Sequence, residues 1–195
     1  MAFTFLACAN VSQSPKQPVE SDIKVAINDS FEANQYAVYD ALIANVFSNP
    51  YLLIITERTN TDYRDDPMLE QVLANMQKEL LPLSNTTLND FRVKNKNRVP
   101  LKDAFTLGAK QIFITDEELE TITKDGLDWK SFYEKYPNSE GVLTLSNVGF
   151  DAEMKQAFVY LANSRGSLNG VGLYVLLEKQ NDVWQVKKRA TGWMS

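Results

Sequence analysis

The sequence predicts an α+β fold in which N-terminal helices pack on a C-terminal antiparallel sheet. Two observations lead to this prediction. Apolar residues recur at helical spacing in the first half of the chain, as in the stripe formed by Tyr36, Leu42 and Val46. Between Gly141 and Lys188, β-branched and aromatic residues form four short runs separated by turn residues, which is typical of a four-strand meander.

The first 22 residues are predicted to lie outside the folded domain, which would be a single α+β domain spanning residues 23–195. Phe5-Leu6-Ala7-Cys8 is similar to a bacterial lipobox, in which the cysteine is lipidated and becomes the mature N-terminus. It departs from that pattern in lacking a basic segment before it. Polar and proline residues follow, as in a flexible tether. We therefore expect export with a lipid anchor on Cys8, and the alternative is an apolar tail on a cytoplasmic protein.

The next elements follow from local patterns. Ile23–Ile27 is expected to form a short strand at most. An amphipathic helix should begin near Glu32 and end at Asn49-Pro50, because the residue before a proline avoids the helical region. The apolar run Tyr51–Thr56 then predicts a buried strand.

The loop after that strand holds the first candidate site. It contains Glu57, Arg58, Asp62, Asp65 and Asp66. Carboxylates gathered on a loop could bind a hard cation or act as acid and base. The aspartate spacing excludes an EF-hand. The alternative is a polar loop whose charges pair with one another and cap the next helix.

Two more amphipathic helices are predicted over Met68–Leu80 and Thr86–Lys94, and Val99–Leu107 is predicted to be irregular. Lys110–Ile114 should be a strand. Thr115 and Glu118 have the spacing of a capping box, so a helix should begin there.

A short helix capped by Asp128 should follow and end before Pro137. It carries aromatic residues at helical spacing: Trp129, Phe132, Tyr133 and Tyr136. We interpret them as core packing or as a lid on the sheet, and the alternative is a cluster that stacks on a ligand.

The four C-terminal runs are Gly141–Ser146, Lys155–Ala162, Val171–Lys179 and Val183–Lys188. Their connections are too short for parallel crossovers, which favours antiparallel pairing. The second and third runs are apolar on both faces, so helices or a strand of a curled sheet should cover part of the second face. The fourth run alternates with polar residues, as expected near solvent or at an edge. Gly170 and Gly172 are interpreted as a bend or bulge, the alternative being a ligand against the backbone.

The composition limits the possible chemistry. Twenty basic and twenty-five acidic residues give a net charge of −5, which argues against a nucleic-acid or anionic-membrane partner. Histidine is absent, which excludes Ser-His-Asp and Cys-His nucleophiles and His-rich zinc sites. The single cysteine excludes an intrachain disulfide. No metal site and no cofactor are predicted.

The C-terminal residues carry a resemblance. The segments concerned are Leu145–Phe150, Gln156–Tyr160, Gly170–Lys179, Trp184–Val186 and the closing Trp193-Met194-Ser195. They resemble the ending of a family of uncharacterised bacterial proteins, many of which look exported or lipid-anchored. The resemblance implies export and no particular activity. The last hairpin is also similar to that of NTF2-like cone folds.

Two functional hypotheses follow. The first is a non-enzymatic extracytoplasmic domain, tethered through Cys8, that binds another protein or a small molecule. The second is an NTF2-like ligand cup or enzyme that uses the carboxylates of residues 57–66, with Tyr160, Tyr174 and Trp184 as pocket walls. A cup needs a cavity with converging polar groups, whereas a binding module can have a filled core and an exposed patch.

Overall fold

The computed structural model describes residues 20–60, 67–123 and 129–195, with residues 20–29, 67–69 and 123 described by their backbone alone. The helices in these residues are α1 (Glu20–Val46), α2 (Pro67–Glu79), α3 (Asn85–Lys94), α4 (Asp116–Thr123) and α5 (Trp129–Lys135). The strands are β1 (Leu52–Thr56), β2 (Lys110–Ile114), β3 (Ser139–Leu145), β4 (Gly149–Phe150), β5 (Gln156–Gly166), β6 (Asn169–Gln180) and β7 (Val183–Met194). The chain divides into two units, residues 1–32 and 33–195. The sheet and helices α2 to α5 all belong to the second unit.

The strands form one mixed sheet in the order β2-β1-β3-β5-β6-β7, with β4 paired beside β5. β1 pairs in parallel with both β2 and β3. From β3 onward every neighbouring pair is antiparallel. The α+β class and the four-strand meander are therefore confirmed, and the two N-terminal strands join the same sheet.

Helices cover both faces of this sheet. Successive strand residues point to opposite faces. Ile54 of β1 packs in a buried cluster with Phe132 of α5. Ile55 and its partner Phe113 therefore point to the other side. There Phe105 contacts both Phe113 and Tyr39 of α1. Val159 and Val175, on the same side of β5 and β6, are also fully buried, so the prediction that part of the second face is covered is confirmed.

The face opposite α1 is divided between two pairs of helices. Residues of α4 and α5 pack on β1, β2 and β3 around Phe132. Residues of α2 and α3 pack on β5, β6 and β7 around Phe91 and Phe158, which are fully buried. This division leaves α4 and α5 as a separate pair at the parallel end of the sheet.

The predicted start of the first helix is wrong. α1 begins at Glu20, so Ile23–Ile27 is helical and not a strand, and the helix crosses the predicted boundary at residues 22 and 23. Ile23, Ala26 and Ile27 recur at three- and four-residue spacing, which suits a helix as well as a short apolar run suits a strand.

The predicted strand ends are also corrected. β5 continues past the predicted end at Ala162 to Gly166, so the turn lies at residues 167 and 168. β7 continues to Met194, and the two-residue strand β4 was not predicted. These residues form strands because their backbones pair with a neighbouring strand. Local strand propensity does not predict such pairing.

The glycines of β6 accommodate the indole ring of Trp193. A Cβ atom at Gly172 would lie 2.2 Å from Nε1 of Trp193 and 2.6 Å from the hydroxyl oxygen of Tyr160. The indole N–H donates a hydrogen bond of 2.7 Å to that hydroxyl. A bulge does lie here, but its extra residue is Gly192 of β7. The close approach at Gly172 is therefore made by the protein's own Trp193.

Gly172→Ala is expected to lower the free energy of unfolding by about 1–3 kcal/mol, because the methyl group must displace Trp193 or break its hydrogen bond to Tyr160. Urea denaturation measures the effect. The matched control is Gly108→Ala, where a Cβ atom would meet nothing within 4 Å. Equal stability of the two variants would contradict the proposed packing of Trp193.

Candidate functional site

The predicted acidic loop lies only partly within the described residues. Asp62, Asp65 and Asp66 lie outside the described residues, as does Cys8. Glu57 and Arg58 lie directly after β1. The backbone of Glu57 pairs on two sides, with its N–H donating to Ile114 and its C=O accepting from Leu101. Its side chain is half-buried, and no hydrogen bond or ion pair to it is found in the described part of the chain.

The three parallel strands β2, β1 and β3 end at the same edge of the sheet. In open sheets, ligands bind outside the carboxyl ends of parallel strands. Here the residues just beyond those ends are polar: Glu57, Arg58 and Thr59 after β1, Thr115 and Asp116 after β2, and Ser146 and Asn147 after β3. We call this set the carboxyl edge.

Much of the carboxyl edge is occupied by its own hydrogen bonds. The side-chain amide of Asn147 donates to Thr59 Oγ1 at 3.2 Å and to the carbonyls of Lys94 at 3.0 Å and Asn97 at 3.2 Å. Its backbone N–H donates to Asn95 Oδ1 at 2.8 Å. Thr59, Asn95 and Asn147 are buried. Buried polar groups that are fully paired hold loops in place, so this network is structural.

A bidentate ion pair between Arg98 and Asp116 lies at the same edge. Arg98 donates to both carboxylate oxygens of Asp116 at 2.6 and 2.5 Å, and its Nε donates to the Thr59 carbonyl at 3.1 Å. The hydrogen bonds from Arg98, aided by the nearby charge of Arg58, hold the pKa of Asp116 below its usual range. Asp116 therefore stays ionised near neutral pH and joins the loop after α3, which carries Arg98, to the start of α4.

A groove opens beside this edge, between α4 and α5. Its volume is about 660 Å³. The wall combines polar groups from both helices with aromatic and aliphatic side chains. The lining residues are Thr115, Glu117, Glu118, Thr121, Ile122, Ser131, Phe132, Lys135 and Tyr136. We call it the α4–α5 groove.

Local sequence places these side chains on facing helices. Thr115 caps α4, since its Oγ1 accepts the backbone N–H of Glu118 at 3.1 Å. That half of the predicted capping box is confirmed. The Glu118 carboxylate, however, accepts hydrogen bonds from Lys135 Nζ at 2.6 Å and from the Tyr136 hydroxyl. It therefore joins α4 to the end of α5 and lines the groove.

The charges of this cluster are fixed near neutral pH. The hydrogen bond from Lys135, followed by that from Tyr136, lowers the pKa of Glu118. The bond to Glu118 raises the pKa of Lys135, and burial together with Glu118 raises the pKa of Tyr136. Each of these shifts moves the pKa further from neutral pH. Near neutral pH the cluster therefore presents an ionised carboxylate beside an ammonium group.

Glu118→Gln is expected to lower the free energy of unfolding by about 0.5 kcal/mol at neutral pH. A carboxylate whose pKa falls on folding stabilises the protein above its unfolded pKa, and this contribution is lost as pH falls through the lowered value. The difference from wild type should therefore vanish at acidic pH. Urea denaturation across pH measures it. Glu134→Gln, on the exposed side of α5, is the control. A difference that persists in acid would contradict this assignment.

The structure does not bring the predicted pocket walls together. Tyr160 and Tyr174 face each other across β5 and β6 and are buried in the cluster under α2 and α3. Trp184 is buried against α1, where its indole N–H donates to Asn34 Oδ1 at 3.1 Å. Trp184 pairs with Lys179, which lies an odd number of residues from Tyr174 and so on the other face.

The groove residues Glu118 and Lys135 were missed as site residues. The sequence showed a capped helix followed by a helix rich in aromatic residues. That pattern indicates packing and does not predict a groove between the two helices. Among the described residues, no group of three or more acidic or cysteine side chains could hold a metal ion. None of the described helices is long and apolar enough to cross a membrane.

Comparisons with protein-family models, with curated proteins and with solved structures give no match to this chain. The resemblance of the C-terminal segments to exported bacterial proteins therefore stays a prediction, as does the similarity of the last hairpin to NTF2-like folds.

Proposed function

We propose that this protein is a non-enzymatic binding domain whose ligand is a small molecule held in the α4–α5 groove. The observation that carries the proposal is the groove itself, which combines a preformed Glu118–Lys135–Tyr136 cluster with an apolar wall. Its volume of about 660 Å³ lies within the range typical of ligand pockets.

The lining favours a compact molecule with an apolar body and a charged end. Ile122 offers apolar surface beside the buried ring of Phe132, while Glu118 and Lys135 offer opposite charges side by side. A ligand with a charged group can exchange hydrogen bonds with this pair, and its body can lie against Ile122.

The test uses three probes of similar size: phenylalanine as a zwitterion, phenylethylamine as a cation and phenylacetate as an anion. Each is titrated into ¹⁵N-labelled protein while the amide signals of Thr121 and Ser131, which line the groove, are followed. We expect at least one probe to shift these signals. If phenylalanine or phenylethylamine binds, Glu118→Gln should weaken its binding about tenfold, because a hydrogen bond from its ammonium group to a carboxylate is lost. If phenylacetate binds, Glu118→Gln should strengthen its binding, because the negative charge beside Lys135 is removed.

Glu134→Gln is the matched control, since Glu134 lies on α5 but does not line the groove. It should bind the probe as wild type does. The proposal fails if none of the probes shifts the groove amides at millimolar concentration, or if Glu118→Gln and Glu134→Gln bind equally.

We further propose that the domain is extracytoplasmic and tethered by a lipid on Cys8. The support is the lipobox-like Phe5-Leu6-Ala7-Cys8 and the polar, proline-containing residues after it. Cell fractionation and mass spectrometry of the N-terminus test this. A mature chain that begins at lipidated Cys8 is expected, and an unprocessed Met1 in the cytosol would refute the tether.

A further inference from the structure

The outer edge of β7 is an open backbone edge. β7 ends the sheet, with β6 as its one neighbour in the strand order. In the described part of the chain, no backbone hydrogen bond other than those of the sheet ladder is made by Val183–Met194. An edge of this kind can pair with a further extended segment, as in β-augmentation.

The strand is basic although the protein is acidic. β7 carries Lys187, Lys188 and Arg189 and no acidic residue, while the whole chain has a net charge of −5. Lys187 pairs with Glu178 at 3.3 Å. Lys188 and Arg189 are exposed, and neither makes an ion pair with any residue that the structure describes. The edge strand therefore carries two cations that have no ion-pair partner among the described residues.

The register of β7 with β6 indicates which part of the edge can pair with a further strand. Bulges at Lys187 and Gly192 interrupt the register with β6, leaving Lys188–Thr191 as an unbroken run opposite Leu173–Leu176. Lys188 and Arg189 are consecutive, so their side chains point to opposite faces. A partner strand would need acidic residues at two consecutive positions to meet both cations.

The same charges disfavour a second copy of this chain as the partner. Two β7 strands paired antiparallel about a two-fold axis near their middle would bring Lys188 of one opposite Arg189 of the other. Like charges directly opposite each other in a sheet are destabilising. Lysines and bulges on an edge strand also limit self-association in natural sheets.

We infer that β7 is a docking edge for an extended acidic segment of another protein, which adds a strand along Lys188–Thr191 with two consecutive carboxylates facing Lys188 and Arg189. This interaction is separate from the α4–α5 groove, whose helices pack at the other end of the sheet.

The test titrates the peptide acetyl-Thr-Val-Thr-Glu-Glu-Val-Thr-Val-amide into ¹⁵N-labelled protein. We expect amide shifts confined to β7, and slower hydrogen exchange at the alternate residues of Lys188–Thr191 whose N–H groups point to the open edge. The peptide with Gln-Gln in place of Glu-Glu should bind about tenfold more weakly, since two cross-strand charge pairs are lost. A version with alternate backbone nitrogens methylated should not bind, because it cannot form the ladder.

A matched pair of variants separates local contacts from net charge. The double variant Lys188→Glu/Arg189→Glu should lose binding about tenfold or more. Lys96→Glu/Lys130→Glu changes the net charge equally at exposed sites on other elements and should bind as wild type does.

Three results would overturn the inference. The first is no shift in β7 at millimolar peptide. The second is equal binding of the methylated peptide, which would show an attraction of charges without strand addition. The third is a dimer in light scattering whose β7 amides are already protected without peptide, which would make a second copy the occupant.

Discussion

Phe158→Ala is expected to lower the free energy of unfolding by about 3–5 kcal/mol. Phe158 is fully buried at the centre of the cluster that joins α2 and α3 to the sheet. Its ring contacts Phe91 of α3 edge-on, with centroids 4.9 Å apart, and stacks on Tyr174 of β6 at 5.8 Å. Alanine would leave a cavity between a helix and two strands that cannot all move inward.

Urea denaturation monitored by circular dichroism measures this loss. Phe158→Leu keeps part of the volume and should cost less than Phe158→Ala. Leu168→Ala is the control, because Leu168 is 87% exposed and its removal should change the free energy by less than about 0.5 kcal/mol. A loss below about 1 kcal/mol for Phe158→Ala would mean that this cluster is not closely packed.

Asn147→Ala is expected to lower the free energy of unfolding by about 3 kcal/mol. The side-chain amide of Asn147 donates to Thr59 and to the carbonyls of Lys94 and Asn97, so its removal takes a shared donor from two loops. Because Arg98 follows directly on that turn, the ion pair between Arg98 and Asp116 should loosen as well.

Asn97→Ala is the matched control for Asn147→Ala. It changes the same residue type in the same region, but the Asn97 side chain is exposed and only its backbone carbonyl takes part in the network. It should change stability by less than about 0.5 kcal/mol. If both variants unfold at the same urea concentration as wild type, the carboxyl edge does not depend on Asn147.

The elements that the sequence predicted well are those with local causes. Pro67 at the start of α2, Thr115 before α4 and the apolar run of β1 each act within a few residues. The irregular structure over Val99–Leu107 was likewise predicted. Caps, breakers and periodicity depend on neighbours in the chain, so one sequence reports them.

The features that were missed depend on distant partners. Ser164 and Gly166 belong to β5 because Gly170 and Asn169 pair with them, not because of their own preference for strands. The α4–α5 groove depends on Glu118 meeting Lys135 and Tyr136 of another helix. A capping-box pattern explained Glu118 locally and gave no reason to look for a second role.

The predicted pocket walls show the same limit. Tyr160, Tyr174 and Trp184 are aromatic residues on adjacent strands, and composition alone groups them. The strand register separates them, because Tyr160 and Tyr174 lie on one face of the sheet and Trp184 lies on the other. Register follows from bulges and turns that a single sequence does not reveal.

The place of β1 in the sheet has a consequence for biosynthesis. This strand is made early, yet one of its two neighbours, β3, follows α2, α3, β2, α4 and α5 in the chain. During translation its apolar residues Leu53, Ile54 and Ile55, all fully buried in the finished protein, must wait for that late partner. Long-range parallel pairing is slow and leaves hydrophobic segments exposed meanwhile. The nascent chain is therefore open to aggregation through β1 until β3 has emerged.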